Sequence, residues 1–254
     1  MAKRCLIGGN WKCNGTVEQI GKIVQTLNEG GTFPQKSEVV IAVPMLHVKS
    51  VQSILRDDIA IAAQDVSRTG MGAFTGEHSA QMLVDSGIKW TLTGHSERRI
   101  GFGPGQGESS QTVADKTAAA VAAGMNVIVC IGEQLAEREA GTTMDVCISQ
   151  LDPVIAALGG NNWGNIVVAY EPVWAIGTGK VATPEQAEET QKQIREYIAS
   201  KTNADTAAEL RIIYGGSVSG ASCAGLIACS NIDGFLVGGA SLKSEFVDII
   251  KCTE

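Results

Sequence analysis

Asn126-Val127-Ile128-Val129-Cys130-Ile131 and Ile166-Val167-Val168-Ala169-Tyr170 decide the fold class. Both runs are short, rich in β-branched residues, and apolar at nearly every position rather than at alternate ones. A strand with one wet face alternates polar and apolar side chains, whereas a parallel strand covered on both faces reads as a continuous apolar run. The first run follows Ser110 to Ala123, an alanine-rich helical stretch that stops at Gly124, a residue suited to ending a helix. Helix therefore leads straight into buried strand.

Six further β-rich runs lie outward from these two: Cys5 to Gly8, Val39 to Val43, Ile59 to Ala63, Trp90 to Thr93, Leu210 to Tyr214 and Gly234 to Val237. Spread over 254 residues, the strands recur about every 32 residues, the size of a βαβ block. Helical stretches fill the gaps. In Thr183-Pro184-Glu185-Gln186 an N-cap, a proline at the first helical position and a capping-box glutamine precede Ala187, Ile194, Tyr197 and Ile198 on one face. Right-handed crossovers repeated in series close on themselves, so the expected architecture is α/β: one (β/α)8 barrel domain over residues 1–254, with a closed parallel sheet of eight strands. A doubly wound open sheet is the rival. Its dinucleotide fingerprint is missing, because Gly101-Phe102-Gly103-Pro104-Gly105-Gln106-Gly107 does not fit G-x-G-x-x-G and follows no strand directly. No Ser/Pro-rich tract or charge block marks a domain boundary.

Composition sets limits on partners. Hydrophobic residues make up 44% and charged residues 19%, and 20 basic against 27 acidic side chains leave a net charge of -7, the profile of a soluble globular protein. That balance argues against a nucleic-acid groove or an anionic membrane surface, so any bound phosphate has to be held by local groups. No run of 18 apolar residues occurs, and the N-terminus lacks the apolar stretch and cleavage site of a signal peptide. Seven scattered cysteines with no C-x-x-C pair fit reduced thiols rather than disulfides or a metal site. The sequon Asn14-Gly15-Thr16 would need a secretory route and reads as accidental. The expected compartment is the cytoplasm, with an organelle such as a plastid, after loss of a presequence, as the alternative.

In a closed parallel barrel the strand-to-helix loops converge at the carboxyl ends of the strands, where reactive groups gather. After the first strand come Asn10 and Lys12; after the fourth, Gly94-His95-Ser96-Glu97-Arg98-Arg99; after the sixth, Glu171-Pro172 and a glycine-rich loop. Acid, base, cation and amide are all present. Gly215-Gly216-Ser217 and Gly238-Gly239-Ala240-Ser241 follow the last two strands and offer approachable backbone N–H groups, a pattern suited to an anion. On its own the charged run Glu97-Arg98-Arg99 reads as a solvated face. Residues 177–180 are no P-loop, since Trp174 and Val181 stand where the pattern wants Gly and Ser or Thr.

Gly8-Gly9-Asn10-Trp11-Lys12, Gly94-His95-Ser96-Glu97-Arg98-Arg99, Tyr170-Glu171-Pro172-Val173-Trp174-Ala175-Ile176-Gly177-Thr178-Gly179, Tyr214-Gly215-Gly216-Ser217 and Gly234-Phe235-Leu236-Val237-Gly238-Gly239-Ala240-Ser241-Leu242, in this order, resemble the triosephosphate isomerase family across essentially the whole chain. The resemblance implies a TIM barrel that interconverts dihydroxyacetone phosphate and glyceraldehyde 3-phosphate without cofactor or metal. It implies Glu171 as base and His95 as proton carrier between the oxygens. That histidine is expected to be neutral at a helix N-terminus, a point for which this family is the standard illustration. It further implies Lys12 and Asn10 on the reacting oxygens, and Asn10, Lys12, Gly177, Ser217, Gly238 and Gly239 around substrate and phosphate. Pro172 to Ala182 is similar to that family's closing lid. Ser96 and Glu97 would support the reacting groups, and Cys13, Gln64, Thr75 and Arg98 would lie at a homodimer interface, with Gly72 to Glu77 as the loop that enters the neighbouring subunit. Ile100 to Ser109 is several residues longer than usual for the family, so the position of Glu97 depends on how that extension folds. The alternatives are a barrel aldolase with Lys12 as Schiff-base nucleophile and a non-catalytic phosphate-binding barrel.

Overall fold

The computed structural model describes residues 5–159, 162–176 and 182–253. Eight strands, β1 (Cys5–Asn10), β2 (Ser37–Ala42), β3 (Ile59–Ala63), β4 (Trp90–Thr93), β5 (Asn126–Ile131), β6 (Ile166–Tyr170), β7 (Arg211–Tyr214) and β8 (Gly234–Val237), pair in chain order and all in parallel. β8 pairs back onto β1, with Leu6 opposite Gly234 and Gly9 opposite Val237, and the sheet closes. The open-sheet rival is therefore discarded.

The continuous apolarity of β5 follows from what covers it. Val127, Val129 and Ile131 point outward into the helix-facing core, while Ile128 and Cys130 point inward to meet Leu6, Val40, Leu92, Val167, Ala169, Ile213 and Leu236. Neighbouring side chains on a strand face opposite sides, and here both sides are dry.

β1 extends two residues further than expected. Gly9 and Asn10 are poor strand formers, but the edge of β2 holds them, Gly9 opposite Ile41 and Asn10 opposite Ala42. This places Asn10 as the last strand residue, with its side chain at the barrel mouth.

Among the described residues the helices are α1 (Val17–Asn28), α2 (Val48–Gln52), α3 (Ala80–Asp85), α4 (Ser96–Ile100), α5 (Ser110–Ala122), α6 (Leu135–Glu139), α7 (Thr143–Leu158), α8 (Pro184–Lys201), α9 (Ala204–Glu209), α10 (Cys223–Ile227) and α11 (Glu245–Lys251). α8 starts as its sequence announces: Thr183 accepts from the Gln186 N–H and the Gln186 side chain accepts in return from the Thr183 N–H. α5 ends at Ala122, and Gly124 takes the positive φ of +83° that turns the chain toward β5. None of these helices is long and apolar enough to cross a membrane.

The glycine-rich extension after α4 folds back at its own neck. A Cβ on Gly107 would stand 2.2 Å from the Arg99 carbonyl oxygen, and one on Gly101 would stand 2.6 Å from the Gly107 nitrogen, so only glycines let the two ends meet. The Glu108 N–H then donates to the Arg98 carbonyl at 2.9 Å. The extra residues stand outside the helix, with Phe102 exposed, and Glu97 keeps its place.

Candidate active site

The mouth at the carboxyl ends of the strands holds a cavity of about 300 Å³, at the small end for a ligand pocket. Asn10, Lys12, His95, Glu171, Ser217, Gly238 and Gly239 line it together. Seven of the residues singled out from sequence thus meet around one space.

Glu171 leaves β6 and is 2% exposed. Its backbone N–H donates to the Ile131 carbonyl at 2.7 Å, which ties it to β5. Two glycines make room for it: a Cβ at Gly132 would overlap the Glu171 carbonyl oxygen at 1.7 Å, and one at Gly215 would press its Cγ at 2.7 Å. The carboxylate is held at both oxygens. Oε2 accepts from the Ser96 N–H at 3.1 Å and Oε1 lies 3.2 Å from His95 Nε2.

His95 caps the short α4, and its Nδ1 accepts the Glu97 N–H at 3.2 Å. A nitrogen that accepts carries no proton, so the imidazole proton sits on Nε2, the nitrogen facing the cavity and Glu171. The ring is neutral in this arrangement and acts there as a donor.

Lys12 adopts a φ of +52°, a conformation that costs an L-residue roughly 1 kcal/mol or more. Three polar contacts enforce it. The Lys12 N–H donates to Asn10 Oδ1 at 3.0 Å, the Lys12 carbonyl accepts from Gln64 Nε2 at 2.8 Å, and Nζ pairs with Glu97 Oε1 at 2.9 Å. Gln64, expected at an interface, holds the strained turn through this bond. On the other side the ammonium passes over Gly238, where a Cβ would meet Lys12 Cε at 3.6 Å. Backbone strain held by side chains at a cavity mouth is a mark of function rather than of economy.

Of the glycine loops, Gly239 faces open space and Ser217 Oγ donates to the Ala175 carbonyl at 2.7 Å, joining the β7 loop to the start of the β6 loop. Gly177 and the segment through Val181 lie outside the described residues. The beginning of that loop is anchored on Glu133, which is fully buried and accepts from Trp174 Nε1 at 2.9 Å and Tyr170 OH at 3.1 Å.

Several working residues were invisible beforehand. Arg99, read as part of a solvated charge run, is instead mostly buried: Nε donates to the Gly94 carbonyl at 2.8 Å and Nη2 to the Cys130 carbonyl at 3.0 Å, stitching the ends of β4 and β5 together. Burial pulls its guanidinium below the ordinary value, partly countered by Cys130 and Glu171. Cys130 lies inside the barrel against Glu171; burial above all, then the carboxylate, pushes its thiol well above the usual range and keeps it a thiol. Arg98 belongs to a separate cluster with Asp65, Glu108 and Lys116. Cys13 is exposed, as is Thr75 on its loop.

A closed parallel ring whose mouth joins a buried carboxylate, an imidazole and an ammonium beside glycine-rich backbone defines a (β/α)8-barrel enzyme. The sequence model described as triosephosphate isomerase matches residues 5–253, and the chain belongs to that family. It is 51% identical over 251 residues to the cytosolic triosephosphate isomerase of Oryza sativa subsp. japonica, covering 98% of this chain and 97% of that protein. The triosephosphate isomerase of Candida albicans is 51% identical over 252 residues, covering 99% of each chain. The chloroplastic triosephosphate isomerase of Secale cereale is 49% identical over 237 residues, covering 93% of this chain and 77% of that protein.

Proposed function

We propose that the chain interconverts dihydroxyacetone phosphate and D-glyceraldehyde 3-phosphate by proton transfer through an enediolate, the isomerisation used in glycolysis and gluconeogenesis. The observation that carries this reading is the Glu171 carboxylate held 3.2 Å from a neutral His95 Nε2, in one cavity with Lys12 Nζ.

Glu171 is the base. Released from the Ser96 N–H, its carboxylate reaches a substrate carbon and removes the hydron, and microscopic reversibility lets the same group return it to the adjacent carbon. His95 donates from Nε2 to the carbonyl oxygen and moves a proton between the two oxygens. Its Nδ1 is occupied by the Glu97 N–H, which directs the chemistry to Nε2. Lys12 supplies positive charge to the phosphate and the developing oxyanion, and Asn10 donates to the reacting oxygens. Ser217, Gly238, Gly239 and Gly177 provide local donors for phosphate, which a chain of net charge -7 cannot attract as a whole. Glu97 and Ser96 hold these groups in place. The Pro172–Ala182 segment is the counterpart of the family's closing lid, whose role is to exclude water and suppress phosphate loss from the enediolate.

The Schiff-base reading is not favoured. Lys12 is paired with Glu97 at 2.9 Å rather than sitting in an apolar pocket or beside another cation, the settings that make a lysine a nucleophile. The residues act without a cofactor or metal in this reading.

The working unit is a homodimer, with Cys13, Gln64, Thr75 and Arg98 at the interface. Support comes from residues 71–78, every one exposed, with Met71 at 73% and Phe74 at 46% exposure, and from Val17 and Leu46 at 75% and 93%. So much exposed apolar surface on neighbouring strand-to-helix loops needs a cover. Sedimentation equilibrium tests it; a monomer at micromolar concentration would contradict it. The cytoplasm is the proposed compartment, supported by the cytosolic rice relative.

The direct test is a coupled assay on each triose phosphate, in the presence of a chelator and without nucleotide. Turnover in both directions supports the reading; a folded chain that turns over neither substrate contradicts it.

A further inference from the structure

Glu171 has two faces, and the reaction assigned above uses one of them. Behind the carboxylate lies a second cavity of about 180 Å³, lined by Glu171 itself and by the polar groups of Ser96, Arg99, Gln134, Glu137 and Gln150. A water needs only about 15 Å³ of such space and two to four polar partners, so several fit. The partners are in place. Gln150 is fixed by a reciprocal pair with Gly132, Oε1 accepting at 2.8 Å and Nε2 donating at 3.0 Å, which leaves its second amide hydrogen for the cavity. Glu137 uses Oε2 to accept the Gln134 N–H at 2.7 Å, leaving Oε1 free of that contact. At the outer rim stand Ile100 and Gln134, both exposed.

The two cavities share Glu171, and the segment after it borders both, Ile176 at the front and Val173 at the rear. The front space carries His95 and Lys12, whereas the rear space has the exposed Ile100 and Gln134 in its lining. A carboxylate that moves forward off the Ser96 N–H vacates volume on the rear side, and an amide donor left bare in a buried setting is costly unless water replaces the carboxylate.

We propose that this rear cavity is a water chamber through which the hydron taken up by Glu171 exchanges with solvent on the side away from the substrate. The inference rests on the isomerase reading. In the step, the protonated Glu171 carboxyl passes its hydron to a chamber water and receives one back from the same hydrogen-bonded chain. The carboxyl stays protonated, the enediolate is untouched, and no net charge moves. The chamber thus sets how much of the substrate's carbon-bound hydrogen reaches the product and how much is replaced by solvent hydrogen.

The test is turnover in deuterium oxide, with product trapped and the ratio of transferred hydrogen to incorporated deuterium read by proton NMR. Gln134→Trp and Ile100→Trp close the rim from two exposed positions that touch no reacting group. Leu135→Trp, on the neighbouring residue that does not line the chamber, is the control. We expect each rim variant to raise the ratio about threefold or more, a change in the exchange barrier of about 0.6 kcal/mol, with kcat near that of the unaltered chain and the control unmoved. An unchanged ratio in both rim variants, or an equal change in the control, would overturn the chamber. Absence of turnover by the unaltered chain would instead overturn the isomerase reading on which the chamber depends.

Discussion

Gly215 stands where the first carbon of any side chain would come within 2.7 Å of Glu171 Cγ. The glycine after β7 therefore serves the carboxylate after β6: two loops from different strands share one volume, and the base occupies it. Gly215→Ala should push the carboxylate off its line while leaving the barrel intact, because the crowding is confined to one side chain. We expect kcat to fall about 10- to 100-fold, the scale of a misplacement near 1 Å, with an unchanged circular dichroism spectrum.

Lys12 exchanges backbone comfort for position. Glycine tolerates the φ of +52° without cost, so Lys12→Gly should stabilise the chain by about 1 kcal/mol in chemical denaturation. The same change deletes the ammonium, and kcat/KM should fall about 100-fold or more. A variant both less stable and less active would show that the strain argument is wrong.

Asp65, Arg98, Glu108 and Lys116 form a partly buried cluster in which Lys116 bonds both acids, at 2.6 and 2.8 Å. Burial opposes the charge on Glu108, but Lys116 and then Arg98 outweigh it and hold its carboxyl below the usual value of 4.5. Asp65 is raised from 3.8, because burial exceeds the help from Lys116. A depressed carboxylate contributes stability above its unfolded pKa and loses it as pH falls through the folded one. Glu108→Gln should therefore cost about 3 kcal/mol at neutral pH, the low end for breaking such a pair because Arg98 is 42% exposed. The deficit relative to the unaltered chain should shrink as pH drops below about 4.5. Denaturant midpoints from pH 7 to 3 check both.

The barrel was legible in the sequence for a physical reason: strands dry on both faces have to be apolar throughout, and β5 and β6 are. The start of α8 was equally plain, since its cap is written in the four residues Thr183 to Gln186. The seven cavity residues followed from one rule, that strand ends converge, together with the family resemblance. Arg99 did not, because whether an arginine meets water or carbonyls depends on a strand 31 residues further along, at Cys130. Gly215 was recognisable as approachable backbone, yet nothing local tells that it clears a carboxylate rather than a phosphate. The reach of β1 to Asn10 was also hidden, since its residues are poor strand formers and only the partner strand holds them extended.

The central claim is that one carboxylate, at a fixed distance, performs the proton transfer, and Glu171→Asp tests it most directly by withdrawing that group by one methylene. With a native circular dichroism spectrum retained, the account predicts a kcat lower by about 100-fold or more. A kcat equal to that of the unaltered chain would contradict it.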